Sequence, residues 1–247
     1  MKKPHKIWII SLFPEFFESF LETGLAGQAL RGKRGVDLSV ELVQLRDFSE
    51  SSYKGVDDAP YGGGPGMVMR PDILKRALWE GVIEKGQYGE DYKDKLHVVF
   101  PGPRGKRWNQ EVCVDFSKRI WGEESKDLVF ICGRYEGVDE RFIQNYVDEE
   151  ISLGDYVLTG GELAVIAIID SAIRFLPGVL GNRESFEKES FNGGLLEHPQ
   201  YTRPRTFEGV EVPEVLLSGH HKKIEAFEKA ESLRITKTYR PDLLEKE

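Results

Sequence analysis

Apolar positions in the first 150 residues alternate between strand-like and helix-like patterns. Short apolar runs predict buried strands at residues 7–10, 38–45, 96–100 and 128–132. Helical spacing predicts helices at residues 14–21, 71–78, 109–120 and 142–147, with Pro14, Pro71 and Asn109 at positions that favour a helix start. The alternation predicts an α/β fold, with a parallel sheet and helices on its faces.

The stretch 162–175 (ELAVIAIIDSAIRF) differs from the other helices because it is apolar nearly all round. Such a helix is buried on several sides, and in a protein of this size a subunit interface is a natural place for it. We therefore expect a two-fold homodimer with this helix in its interface.

The sequence changes character after residue 176. Residues 177–204 combine glycine, proline and mixed charge with weak periodicity, which predicts a linker or a mobile loop. Helical patterns at 214–217, 224–233 and 241–244 then predict a small helical appendage.

Three glycine-containing segments are the candidate ligand-binding elements. PGPRG (101–105) and CGRYEG (132–137) each follow a predicted strand, and LGDYVLTGGEL (153–163) precedes the apolar helix. Each segment alone is explained equally well as a tight turn. Ligands of open α/β sheets bind at the carboxyl ends of strands, so three such segments in succession favour a shared pocket.

A fourth glycine-rich segment, YGGGPGM (61–67), has neither the Lys-Ser/Thr of a P-loop nor the G-x-G-x-x-G spacing before a helix. A plain structural loop and a substrate-binding loop both stay open for it.

Composition narrows the class of protein. The longest apolar run, 163–169, is too short for a membrane helix, and the apolar N-terminal stretch lacks the cleavage site of a signal peptide. Cys113 and Cys132 show no metal-binding spacing, alone or with the scattered histidines. We expect a cytoplasmic protein with reduced thiols, no metal centre and no membrane partner.

The net charge of −8 argues by itself against a nucleic-acid partner. From Pro199 onward, however, acidic and basic residues balance, and basic residues cluster locally, as at Lys222 and Lys223. The overall charge therefore decides nothing about partners.

No Ser–His–Asp or Cys–His pattern is evident, which argues against nucleophilic catalysis. The glycine segments are accompanied instead by two arginines and three carboxylates: Arg134, Arg174, Glu136, Asp155 and Glu189. That set suits a reaction that needs orientation, one weak base and a positive charge beside a developing anion.

Six motifs, in their order and spacing, resemble the bacterial tRNA (guanine-N1)-methyltransferase family: PYGGGPGM, CGRYEGVDER, ISLGDYVLTGGEL, RFLPGVLG, HPQYTRP and VPEVLLSGHH. The resemblance runs from ISLFPEFF to YRPDLL. It implies the SPOUT fold, an α/β domain with a trefoil knot, which no pattern argument would have produced. It also implies a homodimer that binds S-adenosylmethionine and methylates N1 of the guanosine at position 37 of tRNA, beside the anticodon.

The resemblance also implies a division of the chain. We expect residues 1–181 to form the knotted methyl-donor-binding domain, 182–198 a linker and 199–247 a helical tRNA-binding domain.

The family's methyl-donor site falls on the three glycine segments, at Pro103, Gly133, Tyr135, Glu136, Leu153, Gly154, Asp155, Tyr156, Val157, Leu158, Gly160 and Gly161. Arg174 matches the family's catalytic arginine, and Arg134, Arg174 and Asp57 are the expected substrate-binding residues. No protein-bound metal is expected, while a role for Mg²⁺ stays open.

Three positions depart from the family pattern. Glu189 stands where the family usually has its proposed catalytic aspartate, so the carboxylate is kept on a stem one methylene longer. Ala164 replaces a proline, and Gly-Pro-Arg-Gly at 102–105 replaces the commoner Ser-Pro-Gln-Gly. None of these changes removes a needed functional group.

We expect Glu189 to take the N1 proton while N1 attacks the sulfonium methyl group. Arg174, or else Arg134, would meet the charge that develops on guanine O6. Other carboxylates stay open as the base: Glu184, Glu187, Glu136 and Asp155. Two other functions also stay open, namely methylation of another base or position and a non-catalytic module that binds a nucleotide.

Overall fold

The computed structural model describes residues 5–33, 35–121, 125–179, 189–191 and 193–245. The chain divides into two compact units, Met1–Gly181 and Asn182–Glu247. The alternative bases Glu184 and Glu187 lie outside the described residues. No helix within the described ranges is long and apolar enough to cross a membrane.

The first unit is built on a sheet of five parallel strands in the order β2-β1-β6-β5-β7. Its strands are β1 (His5–Ser11), β2 (Leu38–Gln44), β5 (Leu96–Arg107), β6 (Asp127–Ile131) and β7 (Glu149–Ser152). A separate antiparallel pair precedes the third helix, made of β3 (Asp57–Asp58) and β4 (Val68–Met69). The predicted α/β fold with a parallel sheet is confirmed, although β7 and the β3–β4 pair had not been predicted.

The α-helices that accompany the sheet among the described residues are α1 (Glu18–Glu22), α2 (Gly24–Leu30), α3 (Pro71–Leu78), α4 (Tyr92–Lys95), α5 (Gln110–Ile120), α6 (Glu140–Tyr146) and α7 (Glu162–Ile173). The predicted first helix begins as a 3₁₀ turn, Pro14–Phe17, and a π-helical turn, Trp79–Glu84, extends α3. The predicted cap of α5 is confirmed, because the Asn109 side chain accepts a hydrogen bond from the Val112 N–H over 2.9 Å.

Hydrophobic cores lie on both faces of the sheet. Along β1, Trp8 and Ile10 belong to the core that contains residues of α3 and α6. Ile7 and Ile9 belong to the core that contains residues of α2, α5 and α7. The period-two alternation of strand side chains thus makes β1 a central partition buried on both faces.

The segment 101–105 is not a loop that ends a strand, contrary to our expectation. Pro101 and Lys106 both pair with Ile151, so residues 102–105 form a bulge and β5 resumes beyond it. Gly105 makes this course feasible, because a Cβ there would collide with the backbone of Glu150 and Ile151.

Within one chain α7 is not buried all round. One stripe of the helix is exposed, at Leu163, Ala167 and Asp170, and it continues to Arg174 just beyond the helix. Leu163 is 51% exposed. The apolar composition of this helix is therefore only partly accounted for by the core of its own chain.

Polar groups with defined partners mark the amino ends of the strands. Asp127, at the start of β6, accepts hydrogen bonds from the Tyr88 hydroxyl and from the Lys6 N–H. Glu149, at the start of β7, lies 2.8 Å from the His97 ring nitrogen and 3.0 Å from the guanidinium of Arg119. These groups lie at the edge of the sheet opposite the glycine segments.

The second unit contains the antiparallel pair β8 (Thr206–Phe207) and β9 (Val210–Glu211), followed by α8 (Glu214–Leu217), α9 (His221–Tyr239) and the 3₁₀ turn Pro241–Leu243. The three predicted helical segments are confirmed. The described residues of the predicted linker are attached to this unit. The Leu196 N–H donates to the Thr236 hydroxyl of α9, and His198 lies 3.6 Å from Glu228.

Candidate active site

A cavity of about 290 Å³ opens at the carboxyl ends of β6 and β7, beside the bulge of β5. Eleven of the twelve residues expected at a methyl-donor site line it: Pro103, Gly133, Tyr135, Glu136, Leu153, Gly154, Tyr156, Val157, Leu158, Gly160 and Gly161. The twelfth, Asp155, is not among the lining residues; its side chain is 90% exposed and lies 4.0 Å from the guanidinium of Arg107. The three glycine segments therefore do enclose one space.

Two of these segments are joined directly through their backbones. The Gly161 N–H donates a hydrogen bond to the Gly133 carbonyl oxygen over 2.8 Å. A Cβ at Gly133 would lie 2.9 Å from the ring of Phe100, which also lines the cavity. Glycine is needed at this wall because backbone and aromatic ring leave no room for a side chain.

The third segment, residues 153–163, forms the mouth of the cavity. Gly154 has a φ of +155°, and the Tyr156 N–H donates back to its carbonyl oxygen over 3.0 Å. The turn exposes apolar side chains: Tyr156 and Leu158 are exposed, and Val157 is 98% exposed. Exposed apolar groups beside a cavity are typical of a binding surface.

Arg134 lines the cavity, yet its guanidinium is held by the protein. It lies 2.9 Å from the carboxylate of Glu162, donates to the Thr159 carbonyl oxygen over 3.2 Å, and lies over the ring of Phe13. Its side chain is only 14% exposed. Its expected contact with a substrate is not tested by the structure and stays a prediction.

Tyr135 connects the cavity to Asp57, the third expected substrate-binding residue. Burial raises the pKa of the Tyr135 hydroxyl, and the neighbouring Asp57 carboxylate raises this pKa further. Tyr135 also adopts a left-handed backbone conformation, with φ of +59°, which bulky residues rarely adopt. The hydroxyl therefore stays protonated and able to donate at neutral pH.

The glycine-rich segment 61–67 ends beside the same cavity. The Glu136 N–H donates to the Met67 carbonyl oxygen over 2.9 Å, and a Cβ at Gly66 would collide with the Glu136 side chain. At the other end of the segment Tyr61 is almost fully exposed. This location favours the substrate-binding interpretation of the segment over a plain structural loop.

The two expected catalytic residues do not line this cavity. Arg174 is the C-cap residue of α7, about 15 Å along the helix axis from Ala164, which does line it. Glu189 belongs to the second unit. There its neighbour Ser190 accepts a hydrogen bond from the Glu197 N–H over 2.9 Å. Within one chain, Arg174 is therefore too far from the cavity to contact a ligand bound there.

Several residues of the site were missed by sequence reasoning. Phe100 and Ala164 line the cavity, and their apolar character had indicated only a strand and a buried helix. Ile151 lines it too, and it lies in β7, a strand that had not been predicted. Glu162 is 1% exposed and holds Arg134. The available signal for Glu162 was a lone acidic residue at the start of an otherwise apolar helix.

No group of three acidic, histidine or cysteine side chains that could hold a metal ion occurs in the part of the chain that the structure describes. Burial raises the pKa of both cysteine thiols, Cys113 and Cys132, so both are protonated at neutral pH. The candidate chemistry therefore rests on arginine, carboxylate, hydroxyl and backbone groups.

The chain matches a family profile described as tRNA (Guanine-1)-methyltransferase TrmD over residues 5–246. Similar proteins bear the name tRNA (guanine-N(1)-)-methyltransferase. One from Clostridium perfringens (strain SM101 / Type A) is 49% identical, covering 98% of this chain and 94% of its own length. Another from Clostridium novyi (strain NT) is 50% identical, covering 96% and 90%. One from Sulfurihydrogenibium sp. (strain YO3AOP1) is 46% identical, covering 98% and 88%.

Proposed function

The chain belongs to the tRNA (guanine-1)-methyltransferase family, and from this premise we propose that it transfers a methyl group from S-adenosylmethionine to N1 of the guanosine at position 37 of tRNA. The observation that carries the proposal is the shared cavity formed by three glycine segments that are far apart in the sequence. This cavity contains eleven of the twelve positions expected to hold the methyl donor.

The residues of the cavity fit an adenosyl donor. Phe100, Ile151 and Leu158 supply apolar contact for a planar base, and the glycines bring backbone groups within reach of polar ligand atoms. Glu136 places a carboxylate in the same wall, which suits a ligand that carries a positive charge. When bound, S-adenosylmethionine supplies a methyl group on a positively charged sulfur, which leaves as a neutral thioether.

The protein's own task in the reaction is to move one proton and to stabilise one charge. Guanine N1 carries a proton, and Glu189 is proposed to accept it as the bond from N1 to the methyl carbon forms. The negative charge that develops on O6 would be met by a guanidinium, with Arg174 as first candidate and Arg134 as second.

The described surroundings of Glu189 support a positioned base. The adjacent Ser190 hydroxyl accepts the Glu197 N–H, and Phe191 lies under the guanidinium of Arg240 at 5.7 Å. Both contacts hold the two residues that directly follow Glu189 in the chain.

A homodimer is part of the proposal. Arg174 is about 15 Å from the cavity-lining Ala164 along α7, which is farther than an arginine side chain reaches. An active site that uses both therefore needs Arg174 from a second copy. The exposed stripe of α7 and the exposed Tyr156 and Val157 supply the apolar surface for such an interface.

Three finer features complete the proposal. The trefoil knot is proposed from the family to which the chain belongs. The second unit is proposed to bind tRNA, for which Lys222 and Lys223 supply positive charge. We place the enzyme in the cytoplasm, where tRNA is modified, and assign no residue to Mg²⁺.

Methyl transfer from labelled S-adenosylmethionine to tRNA transcripts tests the proposal. A transcript with guanosine at position 37 should be labelled, and one with that guanosine replaced should not. Equal labelling of both would indicate another target position. Calorimetry with S-adenosylmethionine, ATP and NAD should show tight binding of the first alone, and preferential binding of ATP or NAD would indicate a nucleotide-binding module instead.

A further inference from the structure

Glu162 is a buried carboxylate that the proposed reaction does not use. It is the first residue of α7 and is 1% exposed. The Ser11 hydroxyl donates to its Oε1 over 2.8 Å, and the Arg134 guanidinium reaches the same carboxylate at 2.9 Å through Nη2. A buried charge is costly unless it is paired and hydrogen-bonded, so this position demands an explanation.

Glu162 and its two partners come from three different segments at the carboxyl ends of strands. Ser11 ends β1, Arg134 follows β6, and Glu162 itself follows the glycines that precede α7. None of these contacts is local in sequence. The carboxylate attaches the start of α7 to the ends of β1 and β6, two strands that are neighbours in the sheet.

The guanidinium of Arg134 links Glu162 to the residues that line the cavity. Its Nη1 donates to the Thr159 carbonyl oxygen over 3.2 Å, and its carbon atom lies 4.6 Å from the centre of the Phe13 ring. At Gly160, between these groups, a Cβ would collide with the side chain of Arg134 and approach that of Glu162. The packing leaves Arg134 little freedom to move.

We propose that Glu162 is a positioning residue for the methyl-donor cavity, which it shapes by holding Arg134 against Thr159. Glu162 itself is not among the lining residues, whereas residues 133–137 and 159–161 are. The carboxylate therefore acts through Arg134, which holds residues 133–137 and residues 159–161 against each other. The inference rests on the proposed function, because it takes the cavity to be the S-adenosylmethionine site.

The variant Glu162→Gln tests this role with little change in volume. Its amide nitrogen would face the guanidinium donors of Arg134, so the ion pair is lost. We expect S-adenosylmethionine to bind at least tenfold more weakly by calorimetry. The KM for the donor should rise by a similar factor, while kcat at saturating donor changes by less than threefold.

A matched control separates positioning from general stability. Asp127→Asn removes another partly buried carboxylate with several partners, at the opposite edge of the sheet. We expect it to lower the thermal midpoint of the donor-free protein by an amount comparable to that in Glu162→Gln, yet to leave donor affinity within twofold. Equal losses of donor affinity in the two variants would show a merely structural role.

Unchanged donor affinity in a folded Glu162→Gln variant would overturn the inference. If that variant does not fold, Arg134→Lys replaces it as the test. This change keeps the charge but loses the simultaneous contacts with Glu162 and Thr159. Donor affinity equal to that of the wild type would again refute the inference. Failure of the wild-type protein to bind S-adenosylmethionine would instead refute the proposed function, so the two failures are distinguishable.

Discussion

Gly161 and Gly133 touch through their backbones, and neither position has room for a side chain. A Cβ at Gly161 would lie 2.8 Å from the Gly133 nitrogen and 3.0 Å from the Cys132 Cα. These are backbone atoms of a buried strand end, which cannot rotate away. The contact makes the start of α7 and the end of β6 a single wall of the cavity.

We expect Gly161→Ala to damage both stability and ligand binding. Overpacking of this kind costs about 1–3 kcal/mol, and we expect donor binding to weaken at least tenfold because the two segments must separate. Thermal unfolding and calorimetry with S-adenosylmethionine measure the two effects. Gly55→Ala is the matched control, because its Cβ would meet only the Ser51 hydroxyl at 3.8 Å. Wild-type affinity in Gly161→Ala would contradict the shared wall.

Gly154→Val tests the mouth of the cavity. The φ of +155° at Gly154 is one that residues with a Cβ rarely adopt, and the added atom would lie 2.9 Å from the Tyr156 ring. We expect donor affinity to fall at least tenfold in calorimetry while the protein stays folded. Gly209→Val introduces a comparable strain, at φ of +82°, in the second unit, where the Cβ meets nothing within 4 Å. If Gly154→Val and Gly209→Val bind the donor equally well, Gly154 does not lie at the mouth of the donor site.

The proposed base gives a direct test of catalysis. Glu189→Gln should keep the fold and donor affinity but lower the rate of methyl transfer by roughly 10² to 10⁴, a typical contribution of a general base. Glu189→Asp should retain substantial activity, because aspartate is the carboxylate that the resembled family usually has there. Single-turnover assays with saturating donor and tRNA measure the rates.

A nearly unchanged rate of methyl transfer in Glu189→Gln would show that another residue is the base. The same substitution at Glu184 and Glu187 would then identify a neighbour that serves instead. Silence at all three positions would direct the search to Glu136 and Asp155.

The exposed stripe of α7 predicts how the oligomer responds to charge. Leu163→Lys should convert a dimer at micromolar concentration into a monomer in light scattering and lower activity at least tenfold, because a lysine cannot be buried unpaired in an apolar interface. Leu217→Lys, at a similarly exposed leucine of the second unit, is the control. An active wild-type monomer at that concentration would refute the shared site.

Asp127 predicts a contribution to acid stability. Burial raises the pKa of its carboxyl, but the His5 ring 3.8 Å away and hydrogen bonds from Tyr88 and the Lys6 N–H outweigh this effect and leave the pKa below its ordinary value. A lowered native pKa stabilises the fold above the unfolded pKa of about 3.9, and this stability is lost as pH falls through the native pKa. Asp127→Asn should therefore flatten the decline in the free energy of unfolding between pH 5 and pH 3.

Urea unfolding at several pH values checks this expectation. Asp91→Asn is the control: the pKa of Asp91 is also lowered, by Lys95, but this pair is exposed and should contribute less. An unaltered pH dependence in Asp127→Asn would contradict the assignment.

The spacing of apolar residues and the helix-capping residues predicted most strands and helices of the first unit, because buried side chains recur at regular intervals, as in β1 and α5. The pattern could not predict that β5 continues beyond Pro101. A bulge depends on which partner residue the strand meets again, here Ile151, and pairing across a sheet is not encoded locally.

The glycines indicated where the cavity lies, and the sequence resemblance indicated which ligand to expect. Neither indicated that Glu162 holds Arg134. A carboxylate at the start of a helix is common in any sequence, and the ion pair exists only because folding brings together segments 28 residues apart. Asp155 was expected at the donor site because the family resemblance places that site on residues 153–158, but its side chain is 90% exposed.

The amino ends and the carboxyl ends of the strands carry different kinds of residue. At the amino ends of β5, β6 and β7, carboxylates such as Asp127 and Glu149 pair with fixed partners, whereas the carboxyl ends carry glycines and a cavity. An engineer who wishes to make this protein more heat-resistant can therefore work at the amino edge, redesigning ion pairs there while the ligand-facing edge keeps its shape.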